Sequence, residues 1–251
     1  MKKCIVGIIP ARLGSTRFPA KVLAPILGKP MIWWVWKQAK KAKCLSEVYI
    51  ATDDKKIFDA VKEFGGKPIM TSKKHKSGTD RIAEAVKRIK ADIIVNIQGD
   101  EPLIRTDMLD KAVEPLLKDA GLNMSTLICK VADKKLLKDS NIVKVAVDKN
   151  GFALYFSRSV IPSLEREERF EYFFKHIGVY VYRKTFLLKY VRMKQSRLEK
   201  IEKLEQLRVL ENGYRIKTVE TRFDTVPVDT KKELIRVVNI LKQKTGSRKH
   251  F

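Results

Sequence analysis

Residues 10–21 form a basic loop directly after the first apolar segment of the chain. The loop reads PARLGSTRFPAK and combines one glycine and two hydroxyl residues with the cations Arg12, Arg17 and Lys21. Backbone N–H groups and several cations in one loop can hold a triphosphate, whose charge needs several donors at once. The spacing matches neither the Walker pattern nor G-x-G-x-x-G, which disfavours the usual P-loop ATPase and the dinucleotide dehydrogenase. A solvated basic loop is the alternative.

Two aspartates are candidates for the metal ion that accompanies a triphosphate. Asp100 and Glu101 follow Gln98 at the end of an apolar segment, in the sequence QGDEP. Mg²⁺ takes one or two protein carboxylates and completes its octahedron with phosphate oxygens and water. Asp229, in the sequence PVDT before the last predicted helix, is the candidate for the second carboxylate. On local grounds, an N-cap of that helix explains Asp229 better than a metal role.

An alternation of strand and helix patterns would bring the basic loop and the carboxylates to one edge of a parallel sheet. The predicted strands cover residues 4–9, 47–51, 67–70 and 92–97, and the predicted helices cover residues 30–42, 54–64 and 79–89. This rhythm is typical of a doubly wound α/β fold. In such folds, ligands bind at the carboxyl ends of the strands.

The second half of the chain is richer in strand patterns. A helix over residues 106–118 is followed by predicted strands over residues 124–131, 142–148, 152–156 and 177–182. This change indicates an insertion or a second sheet layer. A long helix over residues 198–212, stopped by Asn212-Gly213, precedes a strand over residues 216–220 and a last helix over residues 230–242.

The composition favours a folded chain with anionic partners. Fifty-three Lys and Arg against 29 Asp and Glu give a net charge of +24, and 44% hydrophobic residues are enough for a buried core. The charge favours nucleotides, sugar acids, nucleic acid or an acidic membrane surface. The cations occur as scattered pairs without blocks of like charge, so we interpret most of them as solvated helix faces.

The cysteines and the apolar runs indicate the cellular setting. Cys4, Cys44 and Cys129 are far apart and lack any metal-ligand spacing, which indicates neither a disulfide framework nor a zinc site. No apolar run approaches the ~20 residues that span a bilayer. We therefore predict a cytoplasmic protein without a membrane partner.

Six short motifs resemble, in order, those of CMP-Kdo synthetases, the cytidylyltransferases that activate 3-deoxy-manno-octulosonate (Kdo). They are PARLGSTR from Pro10, SGTDR from Ser77, QGDEP from Gln98, ALYFSR from Ala153, HIGVY from His176 and LEQLR from Leu204. The first motif is shared with other sugar nucleotidyltransferases, whereas YFSR together with LEQLR is more particular to Kdo activation. The resemblance spans nearly the whole chain.

The resemblance implies an α/β fold of the Rossmann-like nucleotidyltransferase type, with a mostly parallel sheet flanked by helices, in a single domain over residues 1–251. Residues 130–215 would include a smaller, strand-containing part for sugar binding and dimerisation. The implied reaction transfers CMP from CTP to the anomeric C2 hydroxyl of Kdo, with Mg²⁺ as cofactor, for lipopolysaccharide biosynthesis. A homodimer is expected.

The resemblance also implies a role for individual residues. The nucleotide would be bound by Pro10, Ala11, Arg12, Ser15, Lys21, Ser77, Gly78 and Arg81. Kdo would be bound by Gln98, Arg158, His176, Tyr180, Glu205 and Gln206, and the magnesium ligands would be Asp100 and Asp229. Arg12, Lys21 and Asp100 would be catalytic: Arg12 and Lys21, together with the Mg²⁺ that Asp100 holds, would neutralise charge on the phosphates during a direct in-line displacement. Without the resemblance, His176 is typical of a structural histidine, whereas the planar fork of Arg158 suits a sugar carboxylate.

Two residues depart from the family pattern. Pro227 stands where the family usually has glycine; it fixes φ and removes an N–H donor, which weakens the assignment of Asp229. Ala20 stands where many relatives have glycine beside the phosphate loop. Alanine would cost stability if the backbone there needs a positive φ, and we expect the effect to be small.

Two other functions remain open at this point. A cytidylyltransferase for a related acidic sugar, 8-amino-Kdo or sialic acid, would use the same chemistry. A basic nucleic-acid-binding protein would explain the charge of +24, and it predicts binding that weakens steeply with salt and does not need CTP.

Overall fold

The chain divides into two structural units in the computed structural model, which describes residues 3–14, 18–163 and 171–246. The first unit consists of Met1–Asp110 and Thr225–Phe251, and the second is Lys111–Asp224. Their elements, in chain order, are β1 (Ile5–Ala11), a 3-10 turn (Lys21–Leu23), β2 (Pro25–Ile26), β3 (Lys29–Pro30), α1 (Met31–Ala39), β4 (Glu47–Thr52), α2 (Lys55–Glu63), β5 (Lys67–Met70), α3 (Gly78–Val86), β6 (Ile93–Asn96), α4 (Thr106–Lys118), β7 (Met124–Val131), α5 (Lys134–Lys138), β8 (Lys144–Val147), β9 (Ala153–Ser157), β10 (Phe173–Arg183), α6 (Lys184–Tyr190), α7 (Arg197–Glu202), α8 (Leu207–Glu211), β11 (Lys217–Thr221) and α9 (Lys231–Gly246).

The first unit contains a parallel sheet with the strand order β6-β1-β4-β5. Strand β1 is buried at nearly every position, as expected for a parallel strand covered on both faces. The predicted alternation of strands and helices is confirmed in this unit, with element ends that differ from the predicted ones by a few residues. The carboxyl ends of β1 and β6 carry the basic loop and the QGDEP segment, as the sequence predicts.

Side-chain caps set the starts of two helices in the first unit. The Asp54 carboxylate accepts hydrogen bonds from the backbone N–H groups of Lys56 and Ile57 at the start of α2. The Ser77 hydroxyl accepts one from Asp80 N at the start of α3. Such caps satisfy N–H groups that have no partner within a helix, and each contributes about 1 kcal/mol.

The two ends of the first unit's sequence meet in one apolar cluster. Its fully or nearly fully buried members are Ile26, Met31, Val228, Val237 and Leu241. They bring together the β2–β3 hairpin, α1, α9 and the segment that precedes α9. This packing places the segment around Asp229 beside elements that are about two hundred residues earlier in the chain.

The second unit contains a mixed sheet with the strand order β11-β7-β10-β8-β9. Strand β11 is parallel to β7, whereas the other pairs are antiparallel. The β7–β10 pairing has a register shift between Ile177 and Tyr180, a β-bulge that leaves Gly178 and Val179 without a partner residue on β7. The predicted strand-rich second half is confirmed.

The predicted long helix over residues 198–212 is wrong, because the structure has two short helices there. Helix α7 ends at Glu202, Lys203 adopts the left-handed conformation with φ 56°, and α8 begins at Leu207. The Glu202 carbonyl, which would accept a hydrogen bond four residues along a continuous helix, accepts one from Arg158 Nε at 3.0 Å instead. The predicted stop at Asn212-Gly213 is confirmed, since Gly213 has φ 76° directly after α8.

Over the described ranges 3–14, 18–163 and 171–246, no helix combines the length and the apolar character that crossing a bilayer requires.

Candidate functional site

The basic loop leaves β1 at Ala11 and closes on itself a few residues later. Ala20 N donates a hydrogen bond to Leu13 O at 3.0 Å, which ties the two described ends of the loop together. Arg12 is exposed at the start of the loop. Ser15, a predicted nucleotide ligand, lies outside the described residues, as does Arg17.

Two glycines allow the SGTDR and QGDEP segments to approach Pro10. A Cβ atom at Gly78 would lie 3.2 Å from Pro10 Cγ, and one at Gly99 would lie 3.1 Å from Pro10 O. Both distances are shorter than ordinary van der Waals contacts, so a larger residue would push the segments apart. The structure therefore brings the SGTDR and QGDEP motifs together around the end of β1.

Lys21 lies between the two predicted magnesium ligands. Its Nζ is 2.5 Å from Asp100 Oδ2 and 2.8 Å from Asp229 Oδ1. The side chains of Lys21, Asp100 and Asp229 keep 14%, 26% and 32% of their surface exposed, so the group is accessible from one side. Two carboxylates thus converge on one cationic group.

Opposite charge dominates the ionisation of Lys21. Burial disfavours its charged form, but Asp100 and Asp229 favour that form more strongly, so the pKa of Lys21 lies above its ordinary value. The ammonium is therefore charged at neutral pH and neutralises part of the repulsion between the two carboxylates.

Asp229 does not cap α9. The cap is formed by Thr230 and Glu233: the Thr230 hydroxyl accepts from Glu233 N at 3.4 Å, and the Glu233 carboxylate accepts from the backbone N–H groups of Thr230 and Asp229. This capping box leaves the Asp229 carboxylate directed at Lys21. The N-cap interpretation of Asp229 is therefore wrong.

Pro227 does not prevent this arrangement. The next residue, Val228, donates a backbone hydrogen bond to Asp100 O at 2.9 Å and ties the two aspartate segments together. The missing N–H of Pro227 is one residue away from the donor that this link needs.

Ala20 has a left-handed backbone, with φ 54° and ψ 24°. It precedes the 3-10 turn that begins at Lys21, so the position of the lysine depends on this conformation. Residues other than glycine adopt this region at a cost of about 1–2 kcal/mol. The chain therefore carries this cost at the residue next to Lys21.

Arg81, a predicted nucleotide ligand, is committed to contacts within the protein. Its side chain is nearly fully buried, and Nη2 is 2.7 Å from Asp53 Oδ2 while Nη1 donates to Thr71 Oγ1 at 2.6 Å. Ser77 is occupied as the cap of α3. These contacts hold the SGTDR segment in place, whereas Gly78 presents backbone at the end of β1.

Gln98 is the predicted sugar ligand of the first unit. It is half-buried, and its Nε2 donates to Asn96 Oδ1 at 3.1 Å. This bond orients the amide at the carboxyl end of β6 and leaves its carbonyl oxygen as the acceptor end of the group.

His176 and Tyr180, both on β10, form an aromatic cluster with Phe156 in the second unit. The ring centroids of His176 lie 5.2 Å from those of Phe156 and of Tyr180. Burial, with a smaller contribution from Lys175, lowers the pKa of His176 to about 3, so its imidazole is neutral. Burial, followed by the charge of Glu205, raises the pKa of Tyr180, which keeps its hydroxyl protonated.

Glu205 and Gln206 lie in the segment between α7 and α8. The Glu205 carbonyl accepts a hydrogen bond from Tyr190 Oη at 2.7 Å, which anchors the segment to α6. Gln206 is 3% exposed, and its Nε2 has no hydrogen-bond partner among the residues that the structure describes. A buried amide donor without a partner is unfavourable unless a ligand accepts from it.

Arg158 is held by backbone carbonyls on two sides. Its Nε donates to Glu202 O at 3.0 Å, and its Nη1 donates to Ser140 O at 3.0 Å. The Glu202 carboxylate accepts from Arg158 N and from the Ser157 hydroxyl. These contacts fix the side chain of Arg158, the predicted ligand of the sugar carboxylate. They depend on Glu202, a residue that sequence reasoning missed.

Lys144 is a second residue that sequence reasoning missed. It is fully buried, and its Nζ donates to the carbonyls of Asp139 at 3.0 Å, Ile142 at 2.7 Å and Arg158 at 2.5 Å. Burial lowers the pKa of Lys144, although the charge of Asp139 opposes the change. Its signal in the sequence is a lone lysine among apolar residues of a predicted strand, IVKVAV.

The residues of the first unit fit a magnesium ion. Asp100 and Asp229 supply oxygen ligands that converge on one cation, which matches the one or two carboxylates that Mg²⁺ takes when a substrate supplies phosphate oxygens. Across the described part of the chain, no cluster of three or more His, Cys, Asp or Glu side chains is arranged to hold a metal by itself.

Comparisons with known proteins agree over nearly the whole chain. A family model described as Cytidylyltransferase matches residues 6–218. A 3-deoxy-manno-octulosonate cytidylyltransferase of Geobacter metallireducens is 50% identical over 247 residues, which cover 94% of this chain and 97% of that relative. One of Geotalea daltonii is 50% identical over 250 residues, covering 96% of this chain and 99% of that relative.

A solved structure shows that the similarity extends from the sequence to the fold. It is described as CMP:2-keto-3-deoxy-manno-octonic acid synthetase complexed with CTP, and it matches with a TM-score of 0.91 at 40% identity, covering 96% of this chain and 99% of that chain. The predicted nucleotidyltransferase fold and the resemblance stated from the six motifs are both confirmed. The chain belongs to the 3-deoxy-manno-octulosonate cytidylyltransferase family.

Proposed function

We propose that this chain transfers CMP from CTP to the anomeric C2 hydroxyl of Kdo, giving CMP-Kdo and pyrophosphate, in a magnesium-dependent reaction. The observation that carries the proposal is the sequence identity of 50%, over nearly the whole chain, to relatives that bear the name of this activity. The convergence of Asp100, Asp229 and Lys21 beside the phosphate loop supports it from the geometry.

The residues of the first unit would bind the triphosphate and its metal ion. Asp100 and Asp229 would hold Mg²⁺, which when bound would withdraw charge from the α-phosphate and the leaving pyrophosphate. Arg12, exposed at the start of the loop, and Lys21 would contact phosphate oxygens. The backbone around Pro10, Ala11 and Gly78 would position the nucleotide, with Arg81 holding that segment through Asp53.

The residues of the second unit would bind the sugar. The guanidinium of Arg158 suits a carboxylate, and the neutral His176, the protonated Tyr180 and the donor of Gln206 suit hydroxyl groups. Gln98 and Glu205 would supply acceptor oxygens. In the transfer, the oxygen of the C2 hydroxyl of Kdo would form a bond to the α-phosphorus while the bond from that phosphorus to pyrophosphate breaks, and the hydroxyl proton would pass to solvent.

Pyrophosphate release tests the proposal directly. Purified protein would be given CTP and Mg²⁺ with Kdo, 8-amino-Kdo or N-acetylneuraminate as the acceptor. We expect release with Kdo, abolished in Asp100→Asn and retained in Asp59→Asn, whose carboxylate pairs with an exposed lysine on α2. Release with another acceptor alone would change the substrate, and no release from folded protein with any acceptor would overturn the enzyme assignment.

The assembly and location are also proposals. The resemblance favours a homodimer formed through residues 130–215, and exposed apolar side chains in the second unit, Leu154 and Ile201 at 62% each, support it. Light scattering at increasing protein concentration would test the dimer. The free cysteines Cys4, Cys44 and Cys129 suit a reducing cytoplasm, which cell fractionation would test.

A further inference from the structure

Thr126 occupies the bulge in the β7–β10 pairing. It is fully buried on β7 and pairs with Tyr180, while its neighbour Leu127 pairs with Ile177. The carbonyls next to the bulge therefore turn toward the Thr126 side chain. Its Oγ1 lies 2.8 Å from Val179 O and 3.5 Å from Ile177 O.

The same hydroxyl contacts the imidazole of His176. Thr126 Oγ1 lies 2.9 Å from His176 Nε2. A threonine hydroxyl has one proton to donate and lone pairs to accept with, whereas a backbone carbonyl only accepts. At 2.8 Å from Val179 O, the hydroxyl proton must point at that carbonyl, because two acceptor oxygens would otherwise face each other.

This assignment of the hydroxyl proton decides the tautomer of His176. If Thr126 donates to Val179 O, its remaining capacity toward Nε2 is that of an acceptor, so Nε2 carries the imidazole proton. The ring is neutral because it is buried, and Nδ1 then holds a lone pair. Within the described ranges, no hydrogen bond of the protein involves Nδ1, while the neighbouring rings of Phe156 and Tyr180 fix the ring plane.

We propose that Thr126 is a positioning residue that fixes His176 as the Nε2–H tautomer, so that Nδ1 accepts a hydrogen bond from a hydroxyl of the bound sugar. The tautomer rests on this structure alone, and the sugar hydroxyl as donor rests on the proposed function. In the other tautomer, Nδ1–H would be a donor. It would then bind a lone pair of a hydroxyl oxygen or of a carboxylate instead of accepting the hydroxyl proton.

Nitrogen-15 NMR of histidine-labelled protein without substrate tests the tautomer. The chain has three histidines, so a His176→Gln spectrum identifies the signals of His176. We expect a protonated Nε2 and an unprotonated Nδ1 in the wild type. A protonated Nδ1 in the wild type would overturn the proposal whatever the enzyme's substrate is.

Substitutions at Thr126 test the cause. Thr126→Ser retains the hydroxyl, and we expect the wild-type tautomer. Thr126→Val removes the acceptor of a buried N–H, and we expect a mixture of tautomers together with a KM for Kdo raised about tenfold, the loss of roughly one hydrogen bond, at a KM for CTP within twofold of the wild type. A single, unchanged tautomer in Thr126→Val would show that Thr126 does not fix it.

Thr218 provides a matched control on the neighbouring strand. It is paired in register with Thr126, is nearly fully buried, and donates its hydroxyl to Gly151 O at 2.9 Å without contacting His176. Thr218→Val should lose a comparable hydroxyl–carbonyl bond and leave the His176 tautomer and the KM for Kdo unchanged. If Thr218→Val raised the KM for Kdo as much as Thr126→Val, the effect would be one of sheet stability. Normal NMR results with no turnover would separate a failure of the proposed function from a failure of this proposal.

Discussion

The two units treat their polar clusters differently. In the first unit, Lys21, Asp100 and Asp229 are charged, and 14% to 32% of each side chain stays exposed. In the second unit, His176, Gln206 and Thr126 are neutral and between 0% and 9% exposed. Exposed charges can exchange one ionic partner for another at small cost, whereas buried neutral groups keep the hydrogen bonds that the fold gives them. The first cluster is suited to a multivalent anion with its metal ion, and the second to hydroxyl groups of defined direction.

The largest expected effect comes from a substitution in the charged cluster of the first unit. Asp229→Asn replaces the charged carboxylate that we propose as a magnesium ligand with a neutral amide, so we expect kcat to fall about a thousandfold and the Mg²⁺ concentration for half-maximal rate to rise. Pyrophosphate release at several Mg²⁺ concentrations measures both quantities, with Asp59→Asn as the control. A wild-type Mg²⁺ dependence in Asp229→Asn would show that Asp229 serves only as a partner of Lys21.

Lys144→Met would test the rigidity of the second unit. The substitution leaves three partly buried backbone carbonyls without their donor, and we expect the free energy of unfolding to fall by about 3 kcal/mol in urea titrations. The matched control is Lys217→Met, because Lys217 is partly exposed and donates to one carbonyl, that of Asn150. Equal stability of Lys144→Met and the wild type would mean that the loop carrying Arg158 does not depend on this ammonium.

The neutrality of His176 predicts a pH dependence. Its folded-state pKa of about 3 lies below the ordinary 6.5, so below pH 6.5 the unfolded chain binds a proton that the folded chain does not. The free energy of unfolding should therefore fall by about 2 kcal/mol from this group between pH 7 and pH 5. His176→Gln should lack that component. The same pH slope in both proteins would contradict a buried neutral imidazole.

Ala20→Gly should give the smallest change in the free energy of unfolding, and it tests whether the phosphate loop is strained at Ala20. Glycine relieves the left-handed strain at Ala20 but gains freedom in the unfolded chain, so we expect a net stabilisation of about 0.5–1 kcal/mol. Thermal or urea unfolding measures it, and Gly28→Ala, at φ 77° in the β2–β3 turn, should destabilise as the opposite control. Destabilisation by Ala20→Gly would show that the alanine conformation is not strained.

The sequence predicts those parts of the fold that follow from local pattern. The alternation of strands and helices in the first unit follows from periodic burial. The N-terminal starts of α2 and α3 follow from Asp54 and Ser77 as caps. The break between α7 and α8 could not be predicted in this way. It depends on Arg158, 44 residues away, which takes the carbonyl of Glu202.

The candidate site shows the same division. The family resemblance singles out Lys21, Asp100 and Asp229, but the contacts of Lys21 with the two aspartates span 79 and 208 residues of sequence, so local pattern gives no sign of the ion pairs. Local reasoning also favoured Asp229 as a cap and overlooked Thr230 and Glu233, whose spacing is that of a capping box, as the structure shows. Lys144 and Thr126 contact backbone carbonyls that are distant in the sequence, and the local pattern shows only the lone lysine within an apolar strand.

The placement of Lys21 has a consequence for how a metal ion enters the proposed site. The ammonium is a tethered competitor for the two carboxylates, present at a high effective concentration, so a free divalent ion would have to displace it. An ion that arrived with nucleotide phosphates would bring anions that can receive the displaced ammonium. The competition would therefore favour metal that enters with the nucleotide over metal that enters alone.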